Sequence, residues 1–166
     1  MNLEYIIDDE QVISLNDPRN WKTFFEARHS MPANALQKAK EYKIASIITD
    51  TIVPPEVFGD FLERTHMLIK NKNIEYLLFG HLGDCHLHFH LIPNTHNEKD
   101  AIDCYHEIIK LSSDLGGVYS AEHGTGKRKK QDFLECYGKD AIDQVRKCKE
   151  SIDPFFILNR GNVIDY

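Results

Sequence analysis

Residues 80–90 read Gly-His-Leu-Gly-Asp-Cys-His-Leu-His-Phe-His, with histidine at positions 81, 86, 88 and 90. Imidazole is the commonest metal ligand and the side chain most easily moved across neutral pH. Such a run points to chemistry or to a bound cation; its plainer reading is a solvated hairpin that happens to be rich in histidine. A second stretch, Gly116-Gly117-Val118-Tyr119-Ser120-Ala121-Glu122-His123-Gly124-Thr125-Gly126, adds an acid and a histidine side by side.

Pleat and turn rules predict how the first stretch is laid out. Residues 74–82 are rich in strand formers, residues 87–92 alternate apolar side chains with histidine, and Gly83-Asp84 supply turn residues between them, so the pair predicts a β-hairpin. With a two-residue loop at Asp84-Cys85, or a four-residue loop over 83–86, Leu82 faces Leu87 and His81 faces His88. Opposed cross-strand residues have Cβ atoms about 5 Å apart, close enough for two imidazoles to chelate one ion. Alternation puts His86, His88 and His90 on one face of their strand and Leu87, Phe89 and Leu91 on the other, the face expected to meet helices. A catalytic zinc-type site needs three protein ligands and one open position. Glu122, at the end of a short strand over 118–121, is the natural third ligand. His123 turns into the same cavity as a general base. Taken singly, Glu122 reads as a surface ion-pair partner and His123 as a loop residue; their pairing with the histidine hairpin favours the site.

These motifs resemble the C-terminal domain of FAD-linked oxidases and dehydrogenases of the vanillyl-alcohol oxidase type, among them the D-lactate, glycolate and D-2-hydroxyglutarate dehydrogenases. The family pattern Gly-His-x-Gly-Asp-Gly-Asn-Leu-His matches from Gly80 to His88, with Cys85 in place of glycine and His86 in place of asparagine. Ser-Ala-Glu-His-Gly matches Ser120 to Gly124 in full. The closing Asp-Pro-x-x-Ile-Leu-Asn-Pro-Gly-Lys is met by residues 153–162, with Arg160 and Asn162 replacing proline and lysine. Residues 49–54 are similar to the strand leading into Asp-x-x-x-Pro. Residues 21–32, with Arg28, are similar to Trp...Arg-Glu-x-x-Pro, with His29 for glutamate. The resemblance implies a divalent metal (zinc or manganese) on His81, His88 and Glu122, a catalytic base at His123, a substrate carboxylate on Arg28, and Asn159 near the flavin ring. It further implies a small 2-hydroxy acid as substrate and FAD as cofactor. His90 stands where the family often has asparagine, and a lysine that some members use for substrate before the Asp50 strand has no match.

The elements that must position these residues follow from periodicity. Asp17-Pro18 predicts a helix start, running to about Arg28. Residues 31–43 suit either a helix or a connector. A strand over 45–53 is followed by a helix over 54–70, the hairpin, a helix over 97–114 with a core face of Ile102, Tyr105, Ile108 and Ile109, a strand over 118–121, and helices over 128–136 and 139–152. The order predicts an α+β domain, a ferredoxin-like βαββαβ antiparallel sheet with helices on one face plus C-terminal helices.

With 166 residues the chain suits a single domain over 1–166. A net charge of −6 argues against a general nucleic-acid binder, and Lys127-Arg128-Lys129-Lys130 reads as the solvated start of a helix. The four cysteines lack Cys-x-x-Cys spacing and suit free thiols in a reducing compartment. Neither a signal peptide nor an apolar run of membrane-spanning length stands out, so a cytoplasmic location is expected. No glycine-rich strand–turn–helix segment is present to hold a dinucleotide pyrophosphate. The resemblance implies that FAD sits in an N-terminal FAD-binding domain of its own, absent here, so this chain is expected to be a C-terminal fragment or split subunit that works with an FAD-binding domain or subunit and is inactive alone. Two rival classes remain: a zinc hydrolase, although no His-Glu-x-x-His helix is present, and a non-catalytic metal-binding module.

Overall fold

A computed structural model describes residues 16–165. Residues 1–15 and Tyr166, part of the expected single domain, lie outside the described residues. Helix α1 spans Pro18–Tyr42. Asp17 caps it by accepting the Arg19 amide at 2.9 Å, Pro18 opens its first turn, and Lys43 closes it in the left-handed conformation. The ambiguous second half thus joins the first, with Pro32 inside the helix. Tertiary packing overrides the break: Ala35 and Ala39, one turn apart and buried, let the helix approach the sheet, and Tyr42 and Lys38 both reach Glu75.

Strands β1 (Ile47–Ile48), β2 (Glu75–His81) and β3 (His86–Ile92) form an antiparallel sheet in the order β1-β3-β2. The expected strand over 45–53 keeps a regular ladder only at its start, because at position 49 side chains take over: the Phe89 amide donates to Thr49 Oγ1 at 3.0 Å, and the Thr49 carbonyl accepts from the His88 ring at 3.1 Å. The expected strand over 118–121 is likewise reduced to isolated bridges, Ile52 with Val118 and Asp50 with Ser120. The architecture is therefore mixed helix and strand around a small antiparallel sheet.

Helices α2 (Phe58–Asn71, entered through a 3₁₀ turn at Pro55–Val57) and α3 (Glu98–Asp114) cover the apolar face. Phe61 and Ile69 of α2 and Ala101, Cys104, Ile108 and Leu111 of α3 pack on Phe89 and Leu91. Ile108 and Ile109 are buried and Tyr105 packs against the cluster as expected, but Ala101 and Cys104 hold the core positions of the first turns and Ile102 is left 44% exposed. Helices do not keep to one face, in contrast to the expectation. Glu75, Leu77, Phe79 and His81 oppose Ile92, His90, His88 and His86 and share their face, and α1 lies over it through its contacts with Glu75. Helix α4 (Lys130–Ile152) packs on α3 and is broken at Gly138 (φ 76°, ψ 179°), so its two halves match the two helices expected there. Among the described residues no helix is long and apolar enough to cross a membrane.

Candidate active site

The hairpin turn sets the geometry of the histidine face. Leu82–Asp84 form a 3₁₀ turn closed by a Cys85 amide to Leu82 carbonyl bond of 3.1 Å, and Cys85 takes the left-handed conformation. The loop therefore occupies residues 82–85, and the ladder closes with His81 opposite His86 and Phe79 opposite His88. This corrects the expected pairing of His81 with His88 by two residues. A shift of two preserves the facing of every side chain, so His81 and His88 still share a face, as diagonal neighbours with ring centroids 6.2 Å apart.

Glu122 joins them from the loop after the Ser120 bridge. Its carboxylate lies 2.9 Å from His88 Nε2 through Oε1 and 3.6 Å from His81 Nε2 through Oε2. The His88 ring is held from behind: the Thr49 carbonyl can only accept, so Nδ1 carries a proton and donates to it. His123 stacks on His88 with ring centroids 5.0 Å apart and planes 6° from parallel. Its Nε2 lies 3.5 Å from Glu122 Oε1 and its Nδ1 3.8 Å from Asp50 Oδ1. One donor atom from each of His81, His86, His88 and Glu122 lies within 4.8 Å of the others, and the same holds for Asp50, His88, Glu122 and His123.

Sequence reasoning missed the residue that organises this loop. Asp50 is completely buried, and its carboxylate accepts from Ser120 Oγ at 2.6 Å, the His123 amide at 3.0 Å, Lys129 Nζ at 3.0 Å, His86 Nε2 at 3.1 Å and the Glu122 amide at 3.3 Å. Burial pushes its pKa up, but the Ser120 hydroxyl, the His123 amide and the Lys129 ammonium together hold it well below the usual carboxylate range. An acid in the middle of a strand otherwise built of Ile, Thr and Val was the available signal. Lys129 corrects the reading of its basic run: only 15% of its side chain is exposed, and it also donates to Ser120 Oγ at 3.0 Å. Nothing in a run of four cations distinguishes the one that turns inward.

The face opens into a cavity of about 440 Å³ lined by Arg28, His29 and Pro32 of α1 together with His81, His88, His90, Glu122 and His123. Arg28 therefore shares a cavity with the expected ligands and base, carried there by the helix that the sequence left open beyond residue 30. His90 lies deeper. Burial, then the neighbouring His88 and His123, push its pKa down to about 4, and its Nδ1 finds no hydrogen-bond partner. Asn159 does not line this cavity; it opens a turn in the exposed C-terminal segment, its carbonyl accepting the Asn162 amide at 3.1 Å. That segment is tied to the loop after His123 by the Val163 amide donating to the Gly126 carbonyl at 2.8 Å.

The chain is 29% identical over 163 residues to the mitochondrial D-lactate dehydrogenase [cytochrome] of Kluyveromyces lactis, covering 96% of this chain and 27% of that protein. It is 32% identical over 117 residues to D-lactate dehydrogenase of Archaeoglobus fulgidus (70% of this chain, 26% of that protein). It is 30% identical over 142 residues to glycolate oxidase subunit GlcD of Bacillus subtilis (83% and 29%). The chain thus spans little more than a quarter of the length of these relatives. The family model described as FAD linked oxidases, C-terminal domain, matches residues 4–163, both histidine motifs included. By that match this chain belongs to the family of C-terminal domains of FAD linked oxidases.

Proposed function

We propose that this chain is the substrate- and metal-binding part of an FAD-dependent dehydrogenase or oxidase of small 2-hydroxy acids, of the D-lactate and glycolate type. The observation that carries the reading is the contact between His88 and Glu122. With Nδ1 donating to the Thr49 carbonyl, a neutral His88 ring has only a lone pair at Nε2, and it faces a carboxylate oxygen 2.9 Å away. Two acceptors at that distance repel, so a proton or a cation belongs between them. His81 beside the same carboxylate completes a donor set that suits a divalent ion, zinc or manganese, on His81, His88 and Glu122. A bound ion would supply Lewis acidity that lowers the pKa of the substrate hydroxyl.

The remaining steps belong to side chains of this chain. The Arg28 guanidinium binds the substrate carboxylate through its planar fork. The 2-hydroxyl proton passes to His123 at Nε2, the ring atom on the Glu122 side, and the ionised Asp50 beside Nδ1 stabilises the imidazolium that forms. The α-hydrogen leaves as hydride, so the 2-hydroxy acid is oxidised by two electrons to the 2-oxo acid. Bound FAD would supply the acceptor for that hydride. Among the described residues no glycine-rich strand–turn–helix segment serves a pyrophosphate, so the cofactor is assigned to an FAD-binding domain or subunit outside them. A metal-binding module without catalysis would need neither Arg28 nor His123 at the cavity. The accompanying fold reading is the ferredoxin-like βαββαβ order, with residues 118–121 as its fourth strand.

The test is anaerobic flavin reduction in the FAD-loaded enzyme containing this chain, with D-lactate, glycolate and D-2-hydroxyglutarate, beside metal analysis. At least one acid should bleach the flavin, and chelation should slow it. His123→Asn should keep the metal and slow flavin reduction by about 10²–10⁴-fold, whereas Glu122→Gln should lower metal content and rate together. Failure of all three acids, or a His123→Asn variant reduced at the normal rate, overturns the assignment.

A further inference from the structure

His86 has no role in the proposed function, yet it sits in the middle of the donor set. It is the direct cross-strand partner of His81, with ring centroids 5.5 Å apart, and its ring centroid lies 4.5 Å from that of His88. One of its nitrogens lies within 4.8 Å of donor atoms of His81, His88 and Glu122.

A second observation concerns what stands behind the rings. Metal-binding histidines usually donate their other N–H to a carboxylate or a backbone carbonyl, which fixes the tautomer and raises ligand basicity. Two rings of the hairpin are backed in this way by adjacent residues of one strand. His88 donates Nδ1–H to the Thr49 carbonyl at 3.1 Å, and His86 donates Nε2–H to Asp50 Oδ1 at 3.1 Å. In the neutral His86 ring the lone pair then remains on Nδ1. Both rings are buried, so neither backing bond is a solvent-exposed accident of rotamer.

We propose that His86 is a fourth protein ligand, so that this chain holds a zinc ion by three imidazoles and one carboxylate: His81, His86, His88 and Glu122. The inference rests on the metal assignment proposed above and goes beyond it. With four protein ligands the substrate hydroxyl would enter as a fifth, an expansion that catalytic zinc sites allow. A set rich in imidazole suits zinc, while manganese is better served by oxygen ligands. The third imidazole therefore tightens binding and selects zinc.

The experiment uses the purified chain, stripped of metal and titrated with zinc and with manganese against a chelator, for wild type, His86→Asn and His88→Ala. Substitutions behind a ligand cost about 10–100-fold in metal affinity. Removing a ligand should cost more, so His86→Asn should weaken zinc by at least roughly a hundredfold and narrow the preference for zinc over manganese. Nitrogen NMR of the cadmium-loaded protein counts the ligands directly, because a coordinated ring nitrogen is split by coupling to the metal. Three imidazoles should be split in the wild type and two in His86→Asn. Two split rings in the wild type, or an unchanged zinc affinity in His86→Asn, overturn the fourth ligand, and the wild-type spectrum decides even where the variant does not fold. A wild type that binds no divalent ion, or a His88→Ala variant that binds as well as wild type, overturns the underlying metal site as well.

Discussion

Removing the charge of Asp50 or of Lys129 should destabilise the protein by unequal amounts, and removing both should cost much less than the sum. The pair is 3.0 Å apart and almost entirely withdrawn from water. At an effective dielectric of about 20 the attraction is roughly 5–6 kcal/mol before desolvation is subtracted. Breaking a buried pair from one side typically costs about 3–5 kcal/mol, because the other charge stays buried and uncompensated. Asp50→Asn should fall in that range: it leaves the Lys129 ammonium with neutral acceptors only, Ser120 Oγ and the substituted amide oxygen. Lys129→Met should cost less, about 1.5–3 kcal/mol, because the Asp50 carboxylate keeps the Ser120 hydroxyl, the Glu122 and His123 amides and His86. In the double variant neither charge is left alone, so the coupling energy should be at least about 2 kcal/mol. Urea unfolding of the four proteins at neutral pH measures it. Additivity within about 0.5 kcal/mol would refute the account. The pH dependence supplies a second check. The folded pKa of Asp50 is depressed, so its stabilisation is complete above the unfolded value of about 3.9 and fades as pH falls toward the folded value. Asp50→Asn should flatten that acid limb.

Arg28→Ala in the FAD-loaded enzyme should raise KM for the hydroxy acid by roughly ten- to a hundredfold, the worth of a charged hydrogen bond of about 1.5–3 kcal/mol; Arg28→Lys should recover only part, because an ammonium lacks the two-pronged fork. An unchanged KM would remove Arg28 from the substrate site. Burial raises the Cys104 thiol to about 11, so the unfolded chain loses that proton first; stability from this group is full below the unfolded value of about 8.5 and is lost as pH climbs toward 11. Urea midpoints should fall across that interval more steeply in wild type than in Cys104→Ala, and parallel slopes would show that the thiol is not the titrating group. Gly117→Ala should cost at least about 1–3 kcal/mol in thermal unfolding, because a Cβ there would meet the Ile52 carbonyl oxygen at 2.3 Å and Val53 Cγ1 at 2.8 Å; a variant as stable as wild type would mean that this approach relaxes freely.

Alternation along 86–92 and the turn residues at 83–84 determined, from sequence alone, that a hairpin exists, that its histidines share one face and that Phe89 and Leu91 share the other. Those are local properties of a pleated chain. The Ser-Ala-Glu-His-Gly motif likewise marked Glu122 and His123 by resemblance, and the structure sets both beside His88. Register was not local: the loop lies over 82–85 instead of 84–85 or 83–86, a placement that depends on a left-handed Cys85 and a 3₁₀ turn, conformations that alternation does not encode. Helix α1 continues through Pro32 because the sheet offers a surface to Ala35 and Ala39, a long-range contact that outweighs the local break and carries Arg28 over the histidines. Asp50 and Lys129 are 79 residues apart, and each alone looks like an ordinary charged residue. Only their joint removal from water makes them partners. Tertiary structure decides such pairs because the energy of a charge depends on what surrounds it, and sequence spacing says nothing about surroundings at that range.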